Sequence, residues 1–220
     1  MKNILRPIPT TLAVIYLFLL FICSCSNNTA GIETTNGDGQ LSVSANSIEG
    51  IAPPHSSLSL CKTGSRPLLE GTNTMITIAG DDGLFSFPRP NTGNYTLMVT
   101  SKDQLNGAYI SDIDLSLDSL QQDFKMEHNG SISGSVQGTL DSGSVYFVFL
   151  EGSAVYEILE TPGHFLFEAV PPGSYTLRAV VLHSGTGIYS PEILSSTTQK
   201  NITVKSSTET SVETLNVTSE

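Results

Sequence analysis

The sequence predicts an all-β protein made of two tandem seven-stranded Greek-key β-sandwich domains. Three observations carry this prediction. Short runs such as Leu58-Ser59-Leu60 and Phe85-Ser86-Phe87 alternate apolar and polar residues at period two, whereas no apolar stripe of helical period runs beyond two turns. Gly, Pro, Asn and Asp clusters separate those runs, as turns separate short strands. Finally, the second half repeats the first. Gly83-Leu84-Phe85-Ser86-Phe87 falls on Gly163-His164-Phe165-Leu166-Phe167, and Gly93-Asn94-Tyr95-Thr96-Leu97 falls on Gly173-Ser174-Tyr175-Thr176-Leu177. Tyr109 and Ile113 then fall on Tyr189 and Ile193, all at one offset of 80 residues. A constant offset over Gly, Phe, Tyr, Thr, Leu and Ile marks a duplicated domain.

The elements follow in chain order. Lys2 and Arg6 head an apolar run from Thr11 to Ile22. That run is shorter than the roughly 20 residues a spanning helix needs, and its charged head and small-residue end make residues 1–24 a secretory signal. Residues 25–39 carry one large apolar side chain, Ile32, and are expected to be a flexible tether. The first domain, 40–127, is expected to have strands at Leu41–Ala45, Ser57–Lys62, Met75–Ala79 and Gln122–Glu127, besides those holding Phe85/Phe87 and Tyr95/Leu97. The second, 128–218, is expected to have them at Ser131–Val136, Ser144–Leu150, Val155–Leu159, Asn201–Lys205 and Ser211–Val217, besides those holding Phe165/Phe167 and Tyr175/Leu177. The break falls near His128-Asn129-Gly130.

The shared motif is Gly-x-Phe-x-Phe, five residues, then Gly-x-Tyr-Thr-Leu. Gly83 and Gly163 are expected to end turns at positive φ. The Phe pairs should fill the space between the sheets, each ring stabilising by about 3–5 kcal/mol against truncation to Ala. Gly93 and Gly173 close the following turn. Tyr95 and Tyr175 are expected to form tyrosine corners, ring buried and hydroxyl bonded to nearby backbone, with Leu97 and Leu177 beside them in the core.

Two resemblances add to this. Ile22-Cys23-Ser24-Cys25 resembles the lipobox of bacterial lipoproteins, which implies cleavage before Cys25 and lipid on its sulfur. The stretch from Pro162 to Arg178, together with Ile132-Ser133-Gly134-Ser135-Val136, resembles the carboxypeptidase regulatory-like, or transthyretin-like, domain family. That resemblance implies an accessory sandwich of the carbohydrate-binding-like fold, often repeated on exported bacterial proteins, and identifies a fold more than an activity. The first copy is more divergent. It opens on Leu41-Ser42-Val43-Ser44, about ten residues further from its Phe pair.

Composition excludes several functions. The net charge of −11 becomes more negative when Lys2 and Arg6 leave with the signal, and such a surface repels nucleic acid. With Cys23 cleaved and Cys25 acylated, Cys61 is left without a disulfide partner, and its alternating context suits a small buried hydrophobe. No histidine stands at ligand spacing from a Cys or carboxylate, no Gly-x-Ser-x-Gly is present, and Asp81-Asp82-Gly83 has the composition of a turn. Asp112, Asp114 and Asp118 alternate with Ile113, Leu115 and Leu117, as on the wet face of a strand. No catalytic residue, metal site or cofactor is therefore expected.

A sugar site needs flat aromatic platforms, and the chain has no Trp. Tyr109 and Tyr189 match across the copies and are the candidate ligand-binding pair, against the alternative that they cap the core. The expected function is a non-enzymatic envelope protein, held by Cys25 at the bacterial membrane, at the outer one where there are two. It would present two modules to an envelope protein or the cell wall. The alternatives are a surface carbohydrate-binding module, and peptide binding by addition to a sheet edge.

Overall fold

The computed structural model describes residues 38–67, 74–117, 119–183, 192–193 and 198–217, and every regular element among them is a strand. The expected signal, the anchor Cys25, nearly all of the tether and Tyr189 lie outside the described residues.

The first half contains β1 (Gly39–Val43), β2 (Ser47–Ile51), β3 (Ser57–Lys62), β4 (Thr74–Ile78), β5 (Leu84–Pro88), β6 (Asn94–Thr100), β7 (Asn106–Asp114), β8 (Leu120–Phe124) and β9 (Glu127–His128). They form two sheets, ordered β5-β2-β1-β8 and β4-β3-β6-β7-β9. Alternation along each strand aims one row inward. Leu41, Ile48, Phe85 and Phe87 from one sheet meet Leu58, Leu60, Tyr95, Leu97 and Ile113 from the other in one core.

The second half contains β10 (Gly130–Gly138), β11 (Ser144–Leu150), β12 (Tyr156–Leu159), β13 (Gly163–Val170), β14 (Gly173–His183), β15 (Glu192–Ile193), β16 (Thr198–Val204), β17 (Glu209–Ser211) and β18 (Leu215–Val217). One sheet runs β13-β10 with β17 and β18 on the far side of β10; the other runs β12-β11-β14 with β15 and β16 beyond β14. The interrupted pairs each occupy one lane, which gives seven lanes among the described residues. Ile132, Val136, Phe165 and Phe167 meet Tyr146, Leu150, Tyr175 and Leu177 in a second core.

The strands expected at Ser57–Lys62 and Ser144–Leu150 have those bounds. The strand expected at Ser211–Val217 is instead split into β17 and β18. The opening of the first copy needs a larger correction. Its counterpart of Ile132-Ser133-Gly134 is Ile48-Glu49-Gly50 on β2, not Leu41-Ser42-Val43. Gly50 stands opposite Phe85 just as Gly134 stands opposite Phe165. A Cβ on Gly50 would come within 2.6 Å of Phe85 Cζ, and one on Gly134 within 2.5 Å of Phe165 Cζ. In both halves the first ring of the Phe pair lies over a bare glycine, so Ile-x-Gly and Phe-x-Phe are one packing unit. β1 is an addition, seated between β2 and β8. In the second half β17 and β18 pair with β10 directly, in parallel. This inserted strand explains the longer spacing of the first copy, and with β9 it brings the first half to nine strands among the described residues.

Candidate functional site

The motif residues are spent on cohesion. All four Phe rings are buried, with centroids 6.0 Å apart for Phe85 and Phe87 and 5.4 Å for Phe165 and Phe167. The two copies then differ in detail. Gly83 has φ +78°, as the turn requires, whereas Gly163 has no positive φ. The Tyr175 hydroxyl donates to the Pro171 carbonyl at 2.7 Å, the expected corner. Tyr95 is equally buried, but its hydroxyl has no hydrogen-bond partner among the described residues. The turn differs as well, with Asn91-Thr92 in the place of Pro171-Pro172.

Tyr109 lies at the junction of the two halves. It projects from the outer face of β7, and its ring centroid is 4.4 Å from that of Tyr175. Gly173 is bare because Tyr109 rests on it: an added Cβ would lie 2.7 Å from Tyr109 Cδ1. Beside it, Met98 joins the second core, and the Thr96 hydroxyl donates to the Gly152 carbonyl. Gly152 N–H in turn donates to the Ser65 carbonyl at 2.8 Å. The connection between the halves is equally tight. Asn129 alone separates β9 from β10, and its backbone and side-chain amides donate to the carbonyls of Leu105 and Gln104, each at 2.8 Å. The outer face of the β3-β6-β7 sheet is therefore a docking platform for the turns of the second half.

Cys61 belongs to the same platform. It is buried, and its Sγ lies 3.5 Å from Thr74 Oγ1. Burial pushes the thiol pKa up, against a smaller opposing effect of the Thr74 and Ser59 hydrogen bonds. Burial likewise raises the Tyr109 phenol, with Asp112 and Cys61 adding to it. A protonated thiol out of solvent is a packing group and a poor nucleophile.

A cleft of about 350 Å³ runs past Tyr109 and Pro172, lined also by Asp123, Lys125 and Glu127. Tyr109 thus reaches a polar cleft at one edge while Tyr175 covers it on another side.

The remaining carboxylates serve turns. Asp82 accepts from Leu84 N–H at 3.0 Å, and Asp114 from Ser116 N–H at 2.8 Å. Asp112 sits at a bulge, where β7 places two residues opposite Thr96, and has φ +58°. His55 meets Asp81 on the surface at 3.4 Å. His183 Nδ1 lies 3.2 Å from Ser144 Oγ, as cross-strand neighbours in one sheet. Among the described residues no three His, Cys, Asp or Glu side chains converge as metal ligands.

The sheet edges are the features sequence analysis left unplaced. Ile76 and Ile78 on β4 and Ile158 on β12 are exposed, and Tyr156 on β12 is partly so, its ring centroid 5.5 Å from that of buried Phe147. Both strands close one end of their sheet, with no neighbour beyond them among the described residues.

No protein-family model matches the chain, and no curated protein matches it. Among solved structures it is similar to the minor pilin of the Gram-positive pathogen Streptococcus agalactiae, at 12% identity and a TM-score of 0.31, over 77% of this chain and 85% of that one. The Bacillus anthracis TIE protein is 16% identical with a TM-score of 0.28, over 84% of this chain and 38% of that one. The major pilin of Streptococcus pyogenes is 10% identical with a TM-score of 0.21, over 81% of this chain and 99% of that one. At these scores the architecture rests on the strands and cores described above.

Proposed function

We propose that this chain is a non-enzymatic, lipid-anchored protein of the bacterial envelope that presents a stiff two-sandwich body to a protein partner. The signal is cleaved before Cys25, the sulfur of Cys25 is acylated, and the residues ahead of Gly39, where β1 begins, form the tether. The sandwiches are of the carboxypeptidase regulatory-like kind, a reading supported by the pairing of Ile-x-Gly with Phe-x-Phe in both halves.

The observation that carries this reading is the use of the matched aromatic residues. The Phe pairs fill cores, Tyr175 locks its own corner, and Tyr109 packs against Tyr175 across the junction. The groups a ligand or reaction would recruit hold the body rigid instead. A stiff body on a tether offers its surface to partners at little cost in ordering entropy.

The test is metabolic labelling of native cells with a clickable fatty acid, comparing the natural chain with Cys25→Ala. Label on the natural chain alone, with the variant released from membranes, is the expected result. An unlabelled natural chain overturns the anchor.

A further inference from the structure

Each half guards one of its sheet edges and leaves another open. On β5 the outward Leu84 N–H donates to Asp82 Oδ1 at 3.0 Å, the Leu84 carbonyl accepts from Gly80 N–H at 2.9 Å, and Pro88 ends the strand. On β13 the outward Leu166 N–H donates to Glu157 Oε2 at 3.1 Å. Caps and prolines of this kind keep an edge from pairing with another chain.

Among the described residues, β4 and β12 carry no such device. Ala79 N–H donates to the Ser56 carbonyl at 3.0 Å, which sets the alternation of the β3–β4 ladder. The N–H and C=O of Ile76 and Ile78 therefore point away from β3. Leu150 N–H donates to the Val155 carbonyl at 3.0 Å and sets the same alternation in β11–β12, so those of Tyr156 and Ile158 point away from β11. These outward groups have no hydrogen-bond partner among the described residues. The side chains are exposed too, at 66% for both Ile76 and Ile78, 41% for Tyr156 and 48% for Ile158. Neither strand holds a Lys, a Pro or a register shift. Positions 76 and 78 fall on 156 and 158 at the repeat offset, so both halves share the open edge.

We propose that β4 and β12 are acceptor edges, each taking an extended segment of a partner protein as an added strand, in which apolar residues alternate with Lys or Arg. This rests on the reading of the chain as a partner-binding body. The alternation of the guest is set by the exposed pairs, two residues apart on one face. Its charge is set by the surroundings. Glu49 lines the cleft of about 600 Å³ that Ile78 and Leu84 share, and Asp81 and Asp82 follow β4. Glu157 lies within β12, and Glu160 follows it. A second copy would bring acid onto acid in a chain of net charge −11.

The experiment titrates the full chain, in detergent micelles, with a ten-residue peptide of alternating Val and Lys. A twin of equal charge, methylated on alternate backbone nitrogens, cannot complete a ladder. Two peptides per chain are expected, the twin at least tenfold weaker, with slowed amide exchange at Ile76, Ile78, Tyr156 and Ile158. Ile76→Pro should leave one site, and Ile76→Pro with Ile158→Pro none. Because these N–H groups face outward, proline removes the donor without breaking the native ladder. Equal binding of the twins, or protection elsewhere, overturns the proposal without help from any variant. So does self-association of the free chain that the double variant abolishes, since the edges would then serve a second copy. Loss of fatty-acid label on Cys25 would leave these outcomes unchanged, so the two failures are separable.

Discussion

The Tyr175 hydroxyl donates to the carbonyl of Pro171, four residues back, at 2.7 Å. Its counterpart Tyr95 is buried without such a bond among the described residues. Tyr175→Phe should destabilise by about 1 kcal/mol, the net worth of one buried hydrogen bond. Tyr95→Phe should be close to neutral. Urea melts of the two variants measure the difference, and equal losses would contradict the asymmetry.

Gly134 and Phe165 form the second packing unit. Gly134→Ala forces a methyl into the ring and should cost about 1–3 kcal/mol, as overpacking does. In the presence of Phe165→Leu the same change should cost less, because the ring is gone. A double-mutant cycle reads that coupling, and strict additivity would show that the contact does not exist.

At the junction, Tyr109→Ala removes the ring that lies between Gly173 and Tyr175. The expected outcome is loosened docking: amide exchange should speed up around Gly152 and Ser65 while both cores keep their protection. Thr96→Val, which removes the hydroxyl bonded to Gly152, should act in the same direction and cost about 1 kcal/mol. Exchange measured by mass spectrometry distinguishes this from a general loss of stability, in which all segments speed up together.

Burial raises the pKa of Tyr175, with Tyr109 adding to it, and burial also raises Tyr109 and Cys61. Each group prefers to stay protonated when folded. The stability this supplies is complete below the ordinary values, about 9 for the thiol and about 10 for a phenol, and is lost as pH climbs through the raised values. Urea midpoints should therefore fall between pH 8 and 11. Tyr175→Phe should flatten that fall, and an unchanged slope would remove Tyr175 as its source.

Much of the molecule was legible in one dimension. Period-two alternation decides a strand from its own residues, so Ser57–Lys62 and Ser144–Leu150 stand as expected. The repeat offset matched Phe85/Phe87 with Phe165/Phe167 on equivalent strands. Ile48-Glu49-Gly50 carried a usable signal, the same Ile-x-Gly as the second copy, but β1 stood ahead of it with an equally good strand pattern. Tyr109 was ambiguous between platform and core cap, and the matching position in the repeat does not separate the two.

The sequence by itself determined an all-β duplication with aromatic pairs turned inward, because strand period and repeat spacing are written in neighbouring residues. Only the tertiary structure decided which glycine each ring covers, that the halves dock through Thr96, Met98 and Tyr109, and that β4 and β12 end their sheets among the described residues. Those outcomes depend on ladder register and on contacts between segments far apart in the chain, and no local pattern encodes which strand will lack a neighbour.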